Sequence, residues 1–138
     1  MSIDSIFAAS RYGLEFERLR LEAASHNIAV ANTPNEPGHP ARLMHVAAGV
    51  GTSFDESLGV HGGMGTPVML GSDADNRQVH DPSDPAADKN GMVSYPRVDM
   101  VSEMGALLEA NRAYEANVRA FNTLRSMALR ALDMGGDA

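Results

Sequence analysis

The residues in this chain that could do chemistry are its histidines and its closely spaced carboxylates. Five histidines could bind a metal or move a proton: His26, His39, His45, His61 and His80. No two of them are four residues apart, and the HExxH motif of zinc proteases is absent. Two aspartate pairs could share acid–base work, Asp73 with Asp75 and Asp81 with Asp84. They lie in turn-forming sequence, where aspartate is common because its side chain bonds to nearby backbone.

A calcium loop is the nearest match to a known metal motif, and it fails on two ligands. Asp88, Asn90 and Gly91 have the right types, with Gly91 at the sixth position of an EF-hand loop. Positions one and twelve then fall on Ala86 and Arg97, which supply no carboxylate. An Asn-Gly turn explains the segment better. No GxSxG elbow and no Walker-type phosphate loop occurs, so we expect no catalytic residue, no cofactor and no metal.

The overall charge argues against nucleic acid as a partner. The 138-residue chain has a net charge of −7 and only 11 basic residues, of which Lys89 alone is lysine. Phosphate recognition needs a basic face, which this composition does not offer. No apolar run approaches the roughly 20 residues that would cross a bilayer, and the start has no basic region before an apolar one. We therefore expect no membrane span, no cleaved signal peptide and no small-molecule substrate; the cysteine count of zero leaves the compartment open.

Proline placement divides the chain into three parts. All seven prolines lie between Pro34 and Pro96. Because proline interrupts helices, the pattern predicts an N-terminal helix in 1–33, an irregular or short-strand middle in 34–98, and a C-terminal helix in 99–138. Asp99 is the expected N-cap of the last helix, and its expected end is near Met134, before Gly135 and Gly136. Within the middle, "MVSYP" at 92–96 is a candidate short strand. The fold class expected is mainly α, with the two long helices packed as a coiled-coil-like pair.

Each predicted helix carries two apolar faces where an ordinary surface helix carries one. In the first helix, one face holds Ile3, Phe7, Leu14, Leu21 and Ile28, and the other holds Tyr12, Phe16, Leu19, Ala23 and Val30. In the last helix, the first face holds Met104, Leu107, Leu108, Tyr114, Val118, Phe121 and Leu132. The second face of that helix holds Ala113, Ala116, Ala120, Leu124, Met127, Ala131 and Met134. Packing one helix on the other covers only one face of each.

The uncovered faces predict association with other chains. Leaving an apolar side chain in water forgoes roughly 1.5–3 kcal/mol, and the Gly/Pro-rich middle is too irregular to cover two long rods. Copies of this chain or related chains packed alongside would cover them. A three- or four-helix monomer and a simple antiparallel dimer remain alternatives. Asn27 and Asn32 could fix the register of such packing through their amides, or could be solvent-facing and capping residues.

Two stretches resemble axial proteins of the bacterial flagellum, the family of rod and hook subunits. The first is "AASHNIAVANTP", at the end of the first helix. The second comprises "DPSDPAADKNGMVSYPRVDMVSEM" and "ANRAYEANVRAFNTLRSMALRAL", and is similar to the second half of a proximal-rod subunit. The resemblance covers about residues 1–34 and 80–134.

The resemblance implies a structural subunit and not an enzyme. Such proteins are exported by the flagellar type III apparatus and assemble helically with copies of themselves and with other rod subunits in the region of the MS ring. The resulting basal-body rod spans the periplasm and transmits motor torque to the hook. The residues expected to pack in such an assembly are Phe7, Leu14, Leu21, Asn27, Ile28, Asn32, Leu107, Tyr114, Val118 and Phe121. The rival interpretations are a soluble helical adaptor or chaperone that binds partner helices, and a wall-lytic hydrolase.

Overall fold

The computed structural model describes residues 3–36, 38–49 and 65–136. Two helices enclose four strands in chain order: α1 (Ile3–Val30), β1 (Arg42–Gly49), β2 (Gly65–Asp73), β3 (Asn76–His80), β4 (Met92–Pro96) and α2 (Met100–Gly136). The helices have 28 and 37 residues. Neither combines the length and the apolar character that a membrane crossing requires within these ranges.

Local sequence explains where the helices begin and end. The α1 helix ends at Val30, and the Thr33 N–H donates to the Val30 carbonyl at 3.0 Å, just before Pro34. Asp99 caps α2 as expected, because its Oδ1 accepts from the Val101 N–H at 3.1 Å and the Ser102 N–H at 3.2 Å. The α2 helix continues through both terminal glycines to Gly136, beyond the end expected at Met134.

The two helices pack side by side and antiparallel. Phe7 near the start of α1 meets Phe121 in the second half of α2, with ring centroids 5.5 Å apart and edge-on at 70°. Later in α1, Arg20 bonds to Glu109 at 3.2 Å and Asn27 bonds to Glu103 at 3.1 Å. Partner numbers fall along α2 as they rise along α1, which is the signature of antiparallel packing.

The strands form two separate antiparallel pairs. In the first, β1 pairs with β2 from Arg42 opposite Asp73 to Ala47 opposite Val68. The register then shifts before Gly49. A Cβ at Gly49 would overlap the carbonyl oxygen of Thr66, so this position accepts only glycine.

The second pair joins β3 and β4 next to the start of α2. Its register runs from Asn76 opposite Pro96 to His80 opposite Met92. Val93 in the middle of β4 has no exposed surface. The strand expected from "MVSYP" at 92–96 is therefore confirmed.

Small side chains dominate the interior. The buried apolar residues of the described chain are Ala23, Ala24, Ala31, Ala74, Val93 and Ala110. Ala23 and Ala24 lie in the second half of α1, Ala31 directly follows it, and Ala110 lies in α2, so the helices approach closely where the chain turns into the sheets. Gly13 gives a further close approach, because a Cβ there would lie 3.1 Å from the amide nitrogen of Asn117.

The prediction of a mainly α fold with a coiled-coil-like helix pair is wrong. The strands, of 8, 9, 5 and 5 residues, form two sheets, and α1 packs on β1 and β2 as well as on α2. The chain therefore belongs to the α+β class. The first sheet was difficult to predict from sequence because β2 buries Gly65 and Pro67 and exposes Val68 and Leu70. This is the reverse of the usual alternation, in which the large apolar residues of a strand face the interior.

Candidate assembly surface

The eight apolar residues proposed for helix packing are all half-buried within the single chain. They are Phe7, Leu14, Leu21 and Ile28 of α1, and Leu107, Tyr114, Val118 and Phe121 of α2. The Phe7–Phe121 contact shows that this set reaches the interface inside the subunit. Each side chain also keeps exposed surface, so its role between subunits stays a prediction.

A second set of apolar side chains on α2 is exposed. In the first turns of α2, Val101 is 82% exposed, Met104 51% and Leu108 59%. Towards the end of the helix, the exposed large residues are Met127, Leu129, Leu132 and Met134. Apolar surface concentrated on one element marks an interaction site more often than scattered single residues do.

Both apolar faces expected on α2 keep exposed side chains. Met104, Leu108 and Leu132 of the first face are exposed. Of the second face, Ala116, Ala120, Met127, Ala131 and Met134 are exposed, whereas Ala113 and Leu124 are half-buried. An apolar groove of about 230 Å³ continues this surface across to α1, lined by Ile6, Phe7, Leu124, Met127, Ala128 and Ala131. We call the exposed second-face residues of α2 and the residues that line this groove the open face of the helix pair.

Ion pairs hold the polar side of α1. Arg18 bonds to Glu15 at 2.6 Å and reaches Glu22 at 3.4 Å, and the Arg18 bond lowers the pKa of the Glu15 carboxyl. Arg20 bridges the helices, contacting Glu17 at 3.0 Å and Glu109 at 3.2 Å. Exposed pairs of this kind contribute little to stability, but the Arg20–Glu109 pair favours one alignment of the helices.

The two asparagines expected to set register lie in different surroundings. Asn32 is exposed just after α1. Asn27 is 4% exposed, and of the residues that the structure describes it is the one buried polar side chain. Its amide nitrogen donates to the Met44 carbonyl at 2.9 Å and to Glu103 at 3.1 Å, and its oxygen accepts from the Met44 N–H at 2.7 Å.

The sequence pattern did not reveal this use of Asn27. An asparagine near a helix end reads as a cap or as an interface residue, and its partner Met44 is 17 residues away in a segment without a clear strand pattern. The available signal was the helical spacing of Asn27, which lies three or four residues from Ala23, Ala24 and Ala31 and so shares a side of the helix with small residues.

Asp81 and Asp84 of the acid–base candidates, and Asp88 of the calcium-loop candidate, serve the turn between β3 and β4, whereas Asp73 lies at the end of β2, 3.8 Å from Arg42. Asp81 Oδ1 accepts from the Ser83 hydroxyl at 2.6 Å, and Asp88 Oδ1 accepts from the Asn90 and Met92 N–H groups at 2.8 and 2.9 Å. These bonds favour the charged form, so the Ser83 hydroxyl lowers the pKa of Asp81 and the Met92 N–H lowers that of Asp88.

We expect this turn to keep its structure at mildly acidic pH. Because the pKa of Asp88 is lowered by folding, its stabilising contribution is complete above the pKa of an unfolded aspartate, about 3.9, and disappears as pH falls through the folded value. NMR amide signals of Asn90 and Met92 should show an acid transition below about 3.9. Asp88→Ala should shift them at pH 7 and remove that transition, and the same acid transition in Asp88→Ala would contradict the assignment.

No metal centre is assembled by the described part of the chain. No group of three or more His, Asp or Glu side chains comes together in residues 3–36, 38–49 and 65–136. His61 lies outside these ranges. His26 is used structurally, with Nε2 3.1 Å from the Arg42 carbonyl oxygen.

Comparison with known proteins points to the bacterial flagellum. Residues 89–134 match the family described as flagellar basal body rod FlgEFG protein C-terminal. Curated relatives with the name flagellar basal-body rod protein FlgC match nearly the whole chain. The Salmonella typhimurium relative is 34% identical over 136 residues, covering 98% of this chain and 99% of the relative. The Agrobacterium fabrum relative is 37% identical over 138 residues, with 96% of each chain covered. The Bacillus subtilis relative is 34% identical over 140 residues, covering 91% and 93%.

Proposed function

Since the chain belongs to the family of flagellar basal-body rod protein FlgC, a structural rod subunit and not an enzyme, we propose that it builds the proximal rod through the open face of its helix pair. In this proposal the helices pack against helices of other copies and of other rod subunits. The helical array then acts as the shaft that transmits motor torque to the hook.

The observation that carries this proposal is the exposure of apolar side chains on α2. Met127 and Met134 of the open face are 61% and 78% exposed, and Val101 and Leu132 elsewhere on α2 are 82% and 71% exposed. Burying one such side chain is worth roughly 1.5–3 kcal/mol, so a contact that covers several of them per subunit would be strongly favoured. Rod assembly supplies neighbours along the full length of the helix.

Under this proposal, each of the three parts of the chain has a mechanical role in the rod. Segments 1–33 and 99–138 form the axial part that faces neighbouring helices. Segment 34–98 forms a lateral part, anchored where α1 meets β1 and β2. The ion pair of Arg20 with Glu109 and the Phe7–Phe121 contact hold the two axial helices in one alignment under load.

The proposed route to the rod is the flagellar type III export apparatus, without cleavage of a signal peptide. The absence of cysteine suits passage in an unfolded state, because no disulfide can trap the chain. The base of the rod, next to the export apparatus and the MS ring, is the proposed location.

Limited proteolysis distinguishes this function from a soluble adaptor that binds partner helices. The isolated subunit should be cut by trypsin at Arg125 and Arg130, which are exposed on the half of α2 that carries the open face, faster than at the half-buried Arg20. In purified basal bodies the same sites should resist cleavage because neighbours cover them. An isolated protein with protected ends and a discrete oligomeric state would contradict the proposal.

A further inference from the structure

We infer that Asn27 is a positioning residue that closes the free edge of β1 and thereby fixes the β1–β2 hairpin on the helix pair. Its effect on rod assembly rests on the function proposed above, whereas its effect on the hairpin does not. The inference concerns a contact inside the subunit, which differs from the intermolecular register expected for Asn27 from sequence.

The backbone of β1 presents one row of groups to β2 and the opposite row to α1. In an antiparallel pair, successive residues alternate between pointing at the partner strand and pointing away from it. The Ala41 carbonyl accepts from the Ala74 N–H at 3.0 Å on the β2 side. Arg42 and Met44 are therefore directed away from β2, towards the end of α1.

Two consecutive side chains of α1 occupy this outward row. His26 Nε2 lies 3.1 Å from the Arg42 carbonyl oxygen. Asn27 exchanges two hydrogen bonds with Met44, at 2.9 Å to its carbonyl and 2.7 Å from its N–H. The amide of Asn27 thus reproduces the pair of bonds that a residue of a third strand would make, and α1 seals an edge that would otherwise be open to strand pairing.

The same amide reaches the second helix. The remaining N–H of Asn27 donates to Glu103 Oε1 at 3.1 Å, in the first turn of α2. One buried side chain therefore joins α1, β1 and α2, with both of its N–H groups and its oxygen in hydrogen bonds. The groove beside it, about 340 Å³, is lined by Asn27 together with residues that include Phe16, Arg20 and Val46.

The chemistry of the junction demands an amide of this length. Leucine has the same branching but neither donates nor accepts a hydrogen bond. Aspartate accepts from the Met44 N–H but places negative charge against the Met44 carbonyl and the Glu103 carboxylate. Glutamine retains the groups but moves them by one methylene, out of line with both backbone bonds.

Hydrogen exchange of the Met44 amide tests the junction in the purified protein. In the wild type this amide should be protected although it points away from β2. In Asn27→Leu its exchange should accelerate about tenfold, the factor expected for the loss of one hydrogen bond worth about 1.4 kcal/mol, while the amides of Leu43 and His45 stay protected by β2. The same substitution at exposed Asn32 should leave Met44 unchanged. Unaltered protection in Asn27→Leu would overturn the inference.

A double substitution separates positioning from simple filling of space. Asn27→Asp should expose Met44 to exchange and reduce the number of rods and swimming cells, because it opposes Glu103. Adding Glu103→Gln supplies an N–H donor to the new carboxylate and should restore part of both. Loss of exchange protection without any loss of swimming would overturn the assembly role of Asn27. Failure of the rod function itself would show separately, as normal swimming by cells that lack the protein.

Discussion

Replacing Leu21 by glutamate is expected to abolish incorporation of the subunit into the rod and to stop swimming, with expression unchanged. Leu21 lies on the apolar line of α1 and is half-buried in the subunit, so part of its side chain remains for a neighbour. Each copy would forgo roughly 1.5–3 kcal/mol of apolar burial and would bring an unpaired carboxylate into the contact. In a polymer that loss recurs in every copy.

The control for this experiment is Ser25→Glu, which adds the same charge to the same helix at an exposed position beside Arg18 and Glu22. Immunoblots of cells and of purified basal bodies measure expression and incorporation, and soft-agar spreading measures motility. We expect the control to swim. Normal swimming by Leu21→Glu, with the variant present in basal bodies, would count against assembly through the apolar line of α1 that contains Leu21.

Two alanines of α2 should respond in opposite ways to the same substitution. Ala110 has no exposed surface, whereas Ala116 lies on the open face. Ala110→Glu forces a carboxylate between the helices, and we expect it to lower the free energy of unfolding by about 3 kcal/mol or more. Ala116→Glu should change the free energy of unfolding by less than about 0.5 kcal/mol and yet block rod assembly.

Urea unfolding followed by circular dichroism measures the first effect, and basal-body composition measures the second. The pair separates stability of the subunit from association of subunits within one helix. Rods that contain normal amounts of Ala116→Glu would show that the open face is not an assembly contact. A stable Ala110→Glu protein would show that the helices do not pack as described.

The helices were predictable because their determinants are local. Pro34 and the pre-proline Thr33 end the first helix, and Asp99 caps the second through bonds that span two and three residues. The surplus of apolar helix surface was also predictable, since helical periodicity alone shows that one antiparallel partner cannot cover both stripes. Leu108 of one predicted face of α2 and Met127 of the other are both exposed, so the surplus is divided between the two faces.

The sheets were less predictable because their determinants are distant and their pattern is weak. The β1–β2 pair joins Leu43 to Ser72 and His45 to Leu70, across the segment 50–64. In β2, weak strand-forming residues are buried and Val68 and Leu70 are exposed, so alternation gives the wrong inner face. Only the short strand at 92–96 was indicated by its sequence.

The amino-acid sequence by itself determined two long helices, their boundaries, their surplus of apolar surface and the resemblance to flagellar rod proteins, because helix caps, proline and 3.6-residue periodicity act over a few residues. The tertiary structure decided the pairing of the strands and the hydrogen-bond partners of Asn27. That side chain meets Met44 and Glu103, which are 17 and 76 residues away, and such contacts exist only once the whole chain has closed around them.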